Sequence, residues 1–315
     1  MNLPHLELDL FRCPRCRGRL VGVEQPPSLA CSACSSTYPV VGGIPRFAGD
    51  SYVASFGRQW NRYDVARDLE DDATFTVKTG VAASDLAGKL VLDAGCGGGR
   101  YALLLGAAGA NVVGLDLSSA VEKAAELCLN YPNVSIVQGD LLNLPLDDRR
   151  FDFAFSIGVM HHSPDPRRAF AEVARRVKPG GGLSVWLYRK NTWIQEVLNS
   201  GIRRVTTRLP ARVLEPISAG LGVVGGIPLL NKTLNKVANF SNHPDWTLRV
   251  CDNFDWYAPT YQSHHTVEEL LGWFKEEGFD TLKTLRPARS GRFYDWAYDH
   301  NLVIGSGVNV SGRKA

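Results

Sequence analysis

The stretch VLDAGCGGGR, residues 91–100, decides the fold of this 315-residue chain. A short apolar run reaches Asp93, and then Gly95, Gly97, Gly98 and Gly99 follow in quick succession. The segment KLVLDAG (89–95) reads as a buried strand, and GRYALLLGAAG (99–109) as a helix that starts on the glycines. Glycines between a strand's carboxyl end and a helix let a ligand approach the backbone and let the helix pack close to the strand.

The same alternation continues outward. NVVGLDL (111–117) reads as a second strand, VSIVQGD (134–140) as a third, FDFAFSIG (151–158) as a fourth and GLSVWLY (182–188) as a fifth. Between them lie SSAVEKAAELCLN (118–130), with Ser119 and Glu122 spaced as a capping box, and RRAFAEVARRV (167–177), which ends at KPGG. Near the end, TVEELLGWFKEEGF (266–279) is an amphipathic helix, and DTLKTL (280–285) and NLVIGSG (301–307) read as two closing strands. Strands alternating with helices predict an α/β, doubly wound, mostly parallel seven-stranded sheet of Rossmann-like form.

The acid at the head of the glycine turn narrows the ligand. A dinucleotide site carries G-x-G-x-x-G and takes a pyrophosphate, which a carboxylate at Asp93 would repel. The pattern here is D-x-G-x-G-x-G, over Asp93, Gly95, Gly97 and Gly99. A carboxylate in that place accepts hydrogen bonds from an ammonium group. Asp116, ending the second strand, is placed to take two ribose hydroxyls. S-adenosylmethionine carries an ammonium, a sulfonium and a ribose, with no phosphate, and fits both acids.

Cysteines set apart the front of the chain. Of seven, four form two C-x-x-C pairs, Cys13 with Cys16 and Cys31 with Cys34, while Cys96, Cys128 and Cys251 are scattered. Two such knuckles match a four-thiolate structural Zn2+ site, although the gap between them is one residue under the usual range. A redox dithiol is the competing reading, but two equivalent pairs without a thioredoxin-like pattern speak against it. With four sulfur ligands the ion has no open position, so it would stabilise a small segment with little core of its own. Cys96, in a variable position of the glycine turn, reads as packing.

Composition excludes some classes. A hydrophobic fraction of 44% supports a sizeable core, and a formal charge of +3 names no partner. The start, MNLPHLELDLFRCPRC, lacks the basic and apolar order of a secretory signal. The most apolar window, ISAGLGVVGGIPLL (217–230), is broken by Gly and Pro and is too short to span a bilayer. A cytoplasmic protein is the expectation.

Two resemblances follow from these motifs. Residues 10–48, with both cysteine pairs and STYPVVGGIPRF (36–47), resemble the zinc ribbon of the small activator subunit of tRNA, rRNA and release-factor methyltransferases. VLDAGCGGGR, VVGLDLS, VQGDLLNLPLDDRRFDFAFSIGVMHHSPDP and VKPGG, over roughly residues 88–188, resemble the successive motifs of class I S-adenosylmethionine-dependent methyltransferases, nearest the ubiquinone and menaquinone methylase-like branch. The resemblance implies that Asp93, Gly95, Gly97 and Gly99 hold the methionyl end of the cofactor. It puts Asp116 on the ribose, Leu117 and Leu141 beside the adenine, and Asp140 under its amino group. Ser156 and Ile157 would line the methionyl side. Asp140 also reads as a plain turn residue, and Leu117 and Leu141 as ordinary core.

His161 and His162, in GVMHHSPDP (158–166), follow the fourth strand. In related enzymes the first position of such a pair faces the acceptor, so His161 is the candidate base or acceptor ligand and His162 its buttress. Both also read as caps of a strongly turn-forming segment. SFGRQWNRYD (55–64) offers Gln59, Trp60 and Tyr63 as a lid over the cofactor, or as interdomain packing.

The expected organisation is a zinc ribbon over 1–50, a linker with lid helices over 51–87 and a methyltransferase domain over 88–315. Within the last, 190–260 is a substrate-covering helical cap insertion containing IRRVTTRLPAR (202–212) and NFDWYAPTYQ (253–262). The expected function is methyl transfer to a small-molecule acceptor. Methylation of RNA or protein, with the ribbon as built-in activator, is the alternative; a noncatalytic S-adenosylmethionine-binding scaffold is the third reading. The mild net charge speaks against RNA.

Overall fold

A computed structural model describes residues 8–48, 71–190, 192–227, 240–286, 296 and 307–315. Gln59, Trp60 and Tyr63 of the expected lid lie outside the described residues.

The N-terminal unit is a four-stranded antiparallel ribbon of β1 (Leu20–Val23), β2 (Ser28–Cys31), β3 (Thr37–Val41) and β4 (Ile44–Pro45). After it come α1 (Asp71–Thr79), β5 (Leu90–Ala94), α2 (Arg100–Ala107), β6 (Asn111–Asp116), α3 (Val121–Leu127), β7 (Val134–Gln138), β8 (Phe151–Ile157), α4 (Pro166–Arg176) and β9 (Val177–Tyr188). Among the described residues, three helices, α5 (Trp193–Thr206), α6 (Ala211–Gly225) and α7 (Trp246–Tyr257), precede α8 (Val267–Glu276), β10 (Phe279–Thr284) and β11 (Gly307–Lys314).

The main sheet has seven strands in the order β10-β11-β9-β8-β5-β6-β7. β5 through β9 pair in parallel, and β11 runs antiparallel between β9 and β10. The central strand is covered on both faces, which is why it reads as an apolar run and not as an alternation. Leu92 and Ala94 join the core beneath α4 and α8, while Val91 joins the core beneath α1, α2 and α3. From β5 the chain winds one way through β6 and β7, then returns to the other side through β8 and β9. That reversal opens a crevice at the carboxyl end of β5, the place where open α/β sheets bind ligands.

The ribbon is built onto the sheet. Arg46 pairs in parallel with Gln138 at the β7 edge, where the Phe47 N–H donates to the Gln138 carbonyl at 2.8 Å. Phe11 bridges Leu146, and Arg17 donates to the carbonyls of Leu144 and Leu146 at 2.8 and 2.7 Å. Leu10, Phe11 and Leu29 belong to the same continuous core as Leu92 and Phe170. The exposed edge that a terminal strand would present is thereby covered.

Three expectations change. Ser119 and Glu122 form no capping box: Ala120, in helical conformation, precedes α3, and the Glu122 carboxylate instead takes Arg46 at 2.5 Å. The fifth strand begins at Val177, so the glycines after Pro179 lie within β9, where Gly180 has φ 76°. The last strand is Gly307–Lys314, later than NLVIGSG, whose residues 301–306 lie outside the described residues.

Candidate active site

The glycine turn is held from three sides. Gly95, Gly97 and Gly99 have φ of 95°, 50° and 87°, in the left-handed region. A Cβ on Gly95 would lie 2.4 Å from the methyls of Val159, and one on Gly99 would lie 2.9 Å from Ala124. These two glycines therefore serve packing, of the loop after β8 and of α3 against α2. The Gly95 and Cys96 N–H groups both donate to the Leu115 carbonyl, at 2.7 and 3.0 Å. The Gly97 N–H donates to Asp116 Oδ2 at 2.9 Å, and Asp116 Oδ1 accepts from the Ser118 N–H and hydroxyl at 2.8 and 2.7 Å.

Asp93 sits beneath this turn, 2% exposed, and its Oδ2 has no hydrogen-bond partner among the described residues. Burial first, and then the nearby Asp116 carboxylate, push its acid well above the usual carboxylate range. A buried carboxylate left with an unsatisfied oxygen is costly unless a donor arrives. The turn thus has an acceptor aimed at a cationic or N–H group, flanked by a second, half-buried acid.

The other motif residues surround the same crevice. The Ser156 hydroxyl donates to the Ala94 carbonyl at 2.7 Å, so it ties the ends of β8 and β5 together from within the core. Ile157 is half-buried at the end of β8. Leu117 and Leu141 are buried after β6 and β7. Asp140 caps the single helical turn Leu141–Asn143, accepting from the Leu142 N–H at 2.9 Å. Trp60 lies outside the described residues.

The histidine pair lies in a larger polar cluster than its sequence neighbourhood shows. His161 is fully buried and stacks on Tyr188 with ring centroids 3.9 Å apart. Its Nδ1 accepts from the Tyr188 N–H at 3.3 Å, so the neutral ring carries its proton on Nε2, which has no hydrogen-bond partner among the described residues. Burial, then the neighbouring His162, His264 and His265, hold its pKa well below the usual histidine value. In this tautomer His161 is a hydrogen-bond donor, not a proton acceptor.

His162 has the opposite arrangement. Its Nδ1 lies 3.2 Å from the Tyr261 carbonyl, which fixes the proton there and leaves the lone pair on Nε2, 3.6 Å from Asp255 Oδ2. Asp255 also accepts from the Tyr188 hydroxyl, and burial followed by this carboxylate raises the Tyr188 pKa well above its ordinary value. Around them, His264 Nδ1 meets Glu196 at 2.6 Å, and His265 Nε2 meets the Ser263 hydroxyl at 2.8 Å. The arrangement can take a proton at His162 and stabilise the resulting imidazolium with Asp255.

Tyr188, Asp255 and His264 are the members that the motif reading misses. Tyr188 is the last residue of a strand whose pattern signals only core. Asp255 sits inside the aromatic segment NFDWY on α7. A signal did exist, since an acidic residue is unusual in so aromatic a stretch, but it is weak without the β9 end to bring Asp255 and Tyr188 together.

The cysteine cluster forms a second, separate centre. The four ligand sulfurs of Cys13, Cys16, Cys31 and Cys34 lie within 4.8 Å of one another, with Cys13 to Cys34 at 3.6 Å and Cys16 to Cys31 at 3.4 Å. A tetrahedral thiolate site with bonds of ~2.3 Å needs sulfurs about 3.8 Å apart. Each knuckle places its next residue in the left-handed region, Arg17 at φ 64° and Ser35 at φ 57°. Each also folds back through matching bonds, Cys13 N–H to the Gly18 carbonyl and Cys31 N–H to the Ser36 carbonyl. The two halves thus match each other and bring four sulfurs to one point, a set that could hold one metal ion.

Comparison with known proteins agrees with this organisation. Residues 92–185 match a family described as "Methyltransferase domain". A phthiotriol/phenolphthiotriol dimycocerosates methyltransferase of Mycobacterium tuberculosis is 35% identical over 140 residues, 42% of this chain and 52% of the relative. A ubiquinone biosynthesis O-methyltransferase of Thiobacillus denitrificans is 34% identical over 128 residues, 39% of this chain and 55% of the relative. The chain thus spans about half the length of these curated relatives. A solved S-adenosylmethionine-dependent methyltransferase from Mesorhizobium loti is 21% identical, covering 73% of this chain and 92% of that one, with a TM-score of 0.44.

Proposed function

We propose that this chain, whose residues 92–185 match a methyltransferase domain, is a class I methyltransferase that transfers a methyl group from S-adenosylmethionine to a proton-bearing atom of a small molecule. The observation that carries the reading is the buried, unsatisfied Asp93 Oδ2 under a glycine turn, one strand away from Asp116. Asp93 would accept from the ammonium of the methionyl end. Asp116, already fixed by Gly97 and Ser118, would take a ribose hydroxyl on Oδ2. Leu117 and Leu141 would flank the adenine, with Asp140 accepting at its edge. When bound, S-adenosylmethionine supplies a methyl on a sulfonium sulfur, activated for in-line displacement.

The remaining work falls to the chain itself: to orient the acceptor and to remove its proton. His162 is the base in this reading, because its Nε2 carries the lone pair and Asp255 faces it. His161 would donate from Nε2–H to the acceptor and fix its orientation. This reverses the roles expected from the order of the two histidines alone.

The cysteine cluster would hold one structural Zn2+. Of the five ribbon arginines, Arg12, Arg17 and Arg46 are bonded to Asp147, Leu144, Leu146 and Glu122 of the larger domain, while Arg15 and Arg19 are exposed. Most of the ribbon's positive charge thus braces the larger domain, which supports a small-molecule acceptor over a nucleic acid. The names of the relatives, an O-methyltransferase of ubiquinone biosynthesis and a phthiotriol dimycocerosates methyltransferase, fit an acceptor with a long apolar portion. Free thiols gathered in one cluster suit a reducing compartment, and the cytoplasm is our assignment. The test is transfer of tritium from labelled S-adenosylmethionine into whole-cell extract separated into small molecules, RNA and protein. Label confined to RNA or protein would refute the small-molecule reading.

A further inference from the structure

One covering helix is turned inside out. Along α5, Ile194, Leu198, Ile202 and Val205 follow helical spacing and are exposed, Val205 at 61%, and Trp193 and Val197 are exposed beside them, Trp193 at 76%. The opposite face is polar and buried. Gln195 and Asn199 are on it, both buried, together with the half-buried Arg203, whose guanidinium donates to the Trp256 and Pro259 carbonyls at 2.7 and 2.6 Å. An amphipathic helix of a globular protein ordinarily turns its apolar stripe to the core. Here the core takes the polar stripe and the apolar one faces out.

Val213, Ile217 and Val223 of the next helix, α6, are exposed as well. Charge is arranged around the stripe with one sign. Among the described residues between 192 and 227, the exposed charged side chains are Arg204, Arg208 and Arg212, while the acids Glu196 and Glu215 are half-buried. A second copy of the chain would bring the same arginines against these. A surface that is apolar in its centre and anionic at its rim satisfies both features. No helix among the described residues is long and apolar enough to cross a membrane, so the mode available is lying in the interface.

We infer that the outer face of α5 seats the protein on an anionic lipid surface. Trp193 sits at the headgroup boundary, where indole is favoured, the valines and isoleucines enter the acyl edge, and the arginines meet lipid phosphates. The inner face of α5 then presents Asn199, whose side-chain nitrogen and oxygen both lack a hydrogen-bond partner among the described residues, beneath the surface from which an amphipathic molecule would enter.

The inference is tested without turnover, so its outcome is separate from that of the methyl-transfer reading. The zinc-loaded full chain is sedimented with vesicles of phosphatidylcholine alone and with about one-third phosphatidylglycerol added. Binding to the anionic vesicles should exceed binding to the neutral ones at least about tenfold and fall with salt. Arg204→Gln with Arg208→Gln should weaken anionic binding roughly 25-fold, about fivefold per arginine, and leave neutral binding unchanged. Trp193→Gln with Val205→Gln should weaken binding to both vesicles, with an unchanged melting temperature because both side chains face solvent. If that pair melts early, the arginine pair alone decides. Absence of vesicle binding, equal binding to both compositions, or a dimer in sedimentation velocity that the Trp193/Val205 pair dissolves would each overturn the inference.

Discussion

Replacing Asp116 tests the cofactor site most directly, because the carboxylate has two separable tasks. It accepts three hydrogen bonds within the chain, from the Gly97 N–H, the Ser118 N–H and the Ser118 hydroxyl. In the proposed complex it also accepts from a ribose hydroxyl on Oδ2. A bond to a charged acceptor is worth about 1.5–3 kcal/mol, part of which water returns. Asp116→Ala should therefore weaken binding of the product S-adenosylhomocysteine about 10-fold, or ~1.4 kcal/mol. The same substitution leaves the Gly97 N–H without its acceptor, at a further cost of about 1–3 kcal/mol to stability, which lowers the melting temperature by about 2–10 °C. Asp116→Asn keeps the shape and one acceptor oxygen, and should retain most of the stability while still losing affinity. Calorimetric titration with S-adenosylhomocysteine, paired with thermal melts of both variants, separates the two tasks. If Asp116→Ala binds as tightly as the parent, the carboxylate serves the turn alone and the assignment of the crevice fails.

The other expectations are briefer. Asp255→Asn should lower kcat roughly 30- to 150-fold: a full charge 3.6 Å from His162 Nε2 is worth about 4–5 kcal/mol at an effective dielectric of 20, and partial exposure with the shared Tyr188 bond reduces this to about 2–3. A loss below about threefold would remove His162 as the base. Metal analysis of protein purified without added zinc should give one Zn2+ per chain, and chelation should lower the melting temperature of the whole molecule because the ribbon shares its core; a chelated protein that melts unchanged contradicts this. His161 has a lowered pKa in the fold, so the unfolded chain binds the extra proton, and stability present above about pH 6.5 should fall as the pH drops below it. Melting curves of His161→Gln should be flatter across that acid window. Asp93, whose pKa is raised, acts in the opposite sense: its contribution is present in acid and lost as pH rises above about 4.

The central strands were legible because burial on both faces leaves an apolar run that nothing in a loop imitates, as in Val91 to Ala94. The glycine turn was legible for a related reason: Gly95 and Gly99 are fixed by clashes with Val159 and Ala124 that any side chain would cause. What could not be read depends on partners far away in sequence. Ser119 has capping spacing to Glu122, yet Arg46 of the ribbon takes that glutamate. The second histidine carries the useful lone pair only because the Tyr261 carbonyl and the Tyr188 N–H orient the two rings differently. Those partners come from the end of β9 and from the segment that follows α7, and no local pattern ties them to GVMHHSPDP.

The reversal of winding at β5 divides the crevice, and each side rests on a different appended unit. On the β6 and β7 side, Arg46 of the ribbon donates to Gln138 Oε1 at 3.2 Å, and Gln138 Nε2 donates to the Leu117 carbonyl at 3.0 Å. The residue proposed to face the adenine is thus braced from the ribbon through one side chain. On the β8 and β9 side, the histidines are held by Tyr188 and by Asp255 and Tyr261 of the covering region. Perturbations should therefore separate. Arg46→Ala is expected to weaken S-adenosylhomocysteine binding a few-fold, the effect of one charge-assisted bond lost at one remove, and to leave the KM of the acceptor unchanged. Asn199→Leu, on the inward face of α5, is expected to raise the acceptor KM and leave S-adenosylhomocysteine affinity untouched. Parallel changes in both quantities for both variants would mean that the two sides of the crevice move as one, and that the ribbon and the cap do not act on separate substrates.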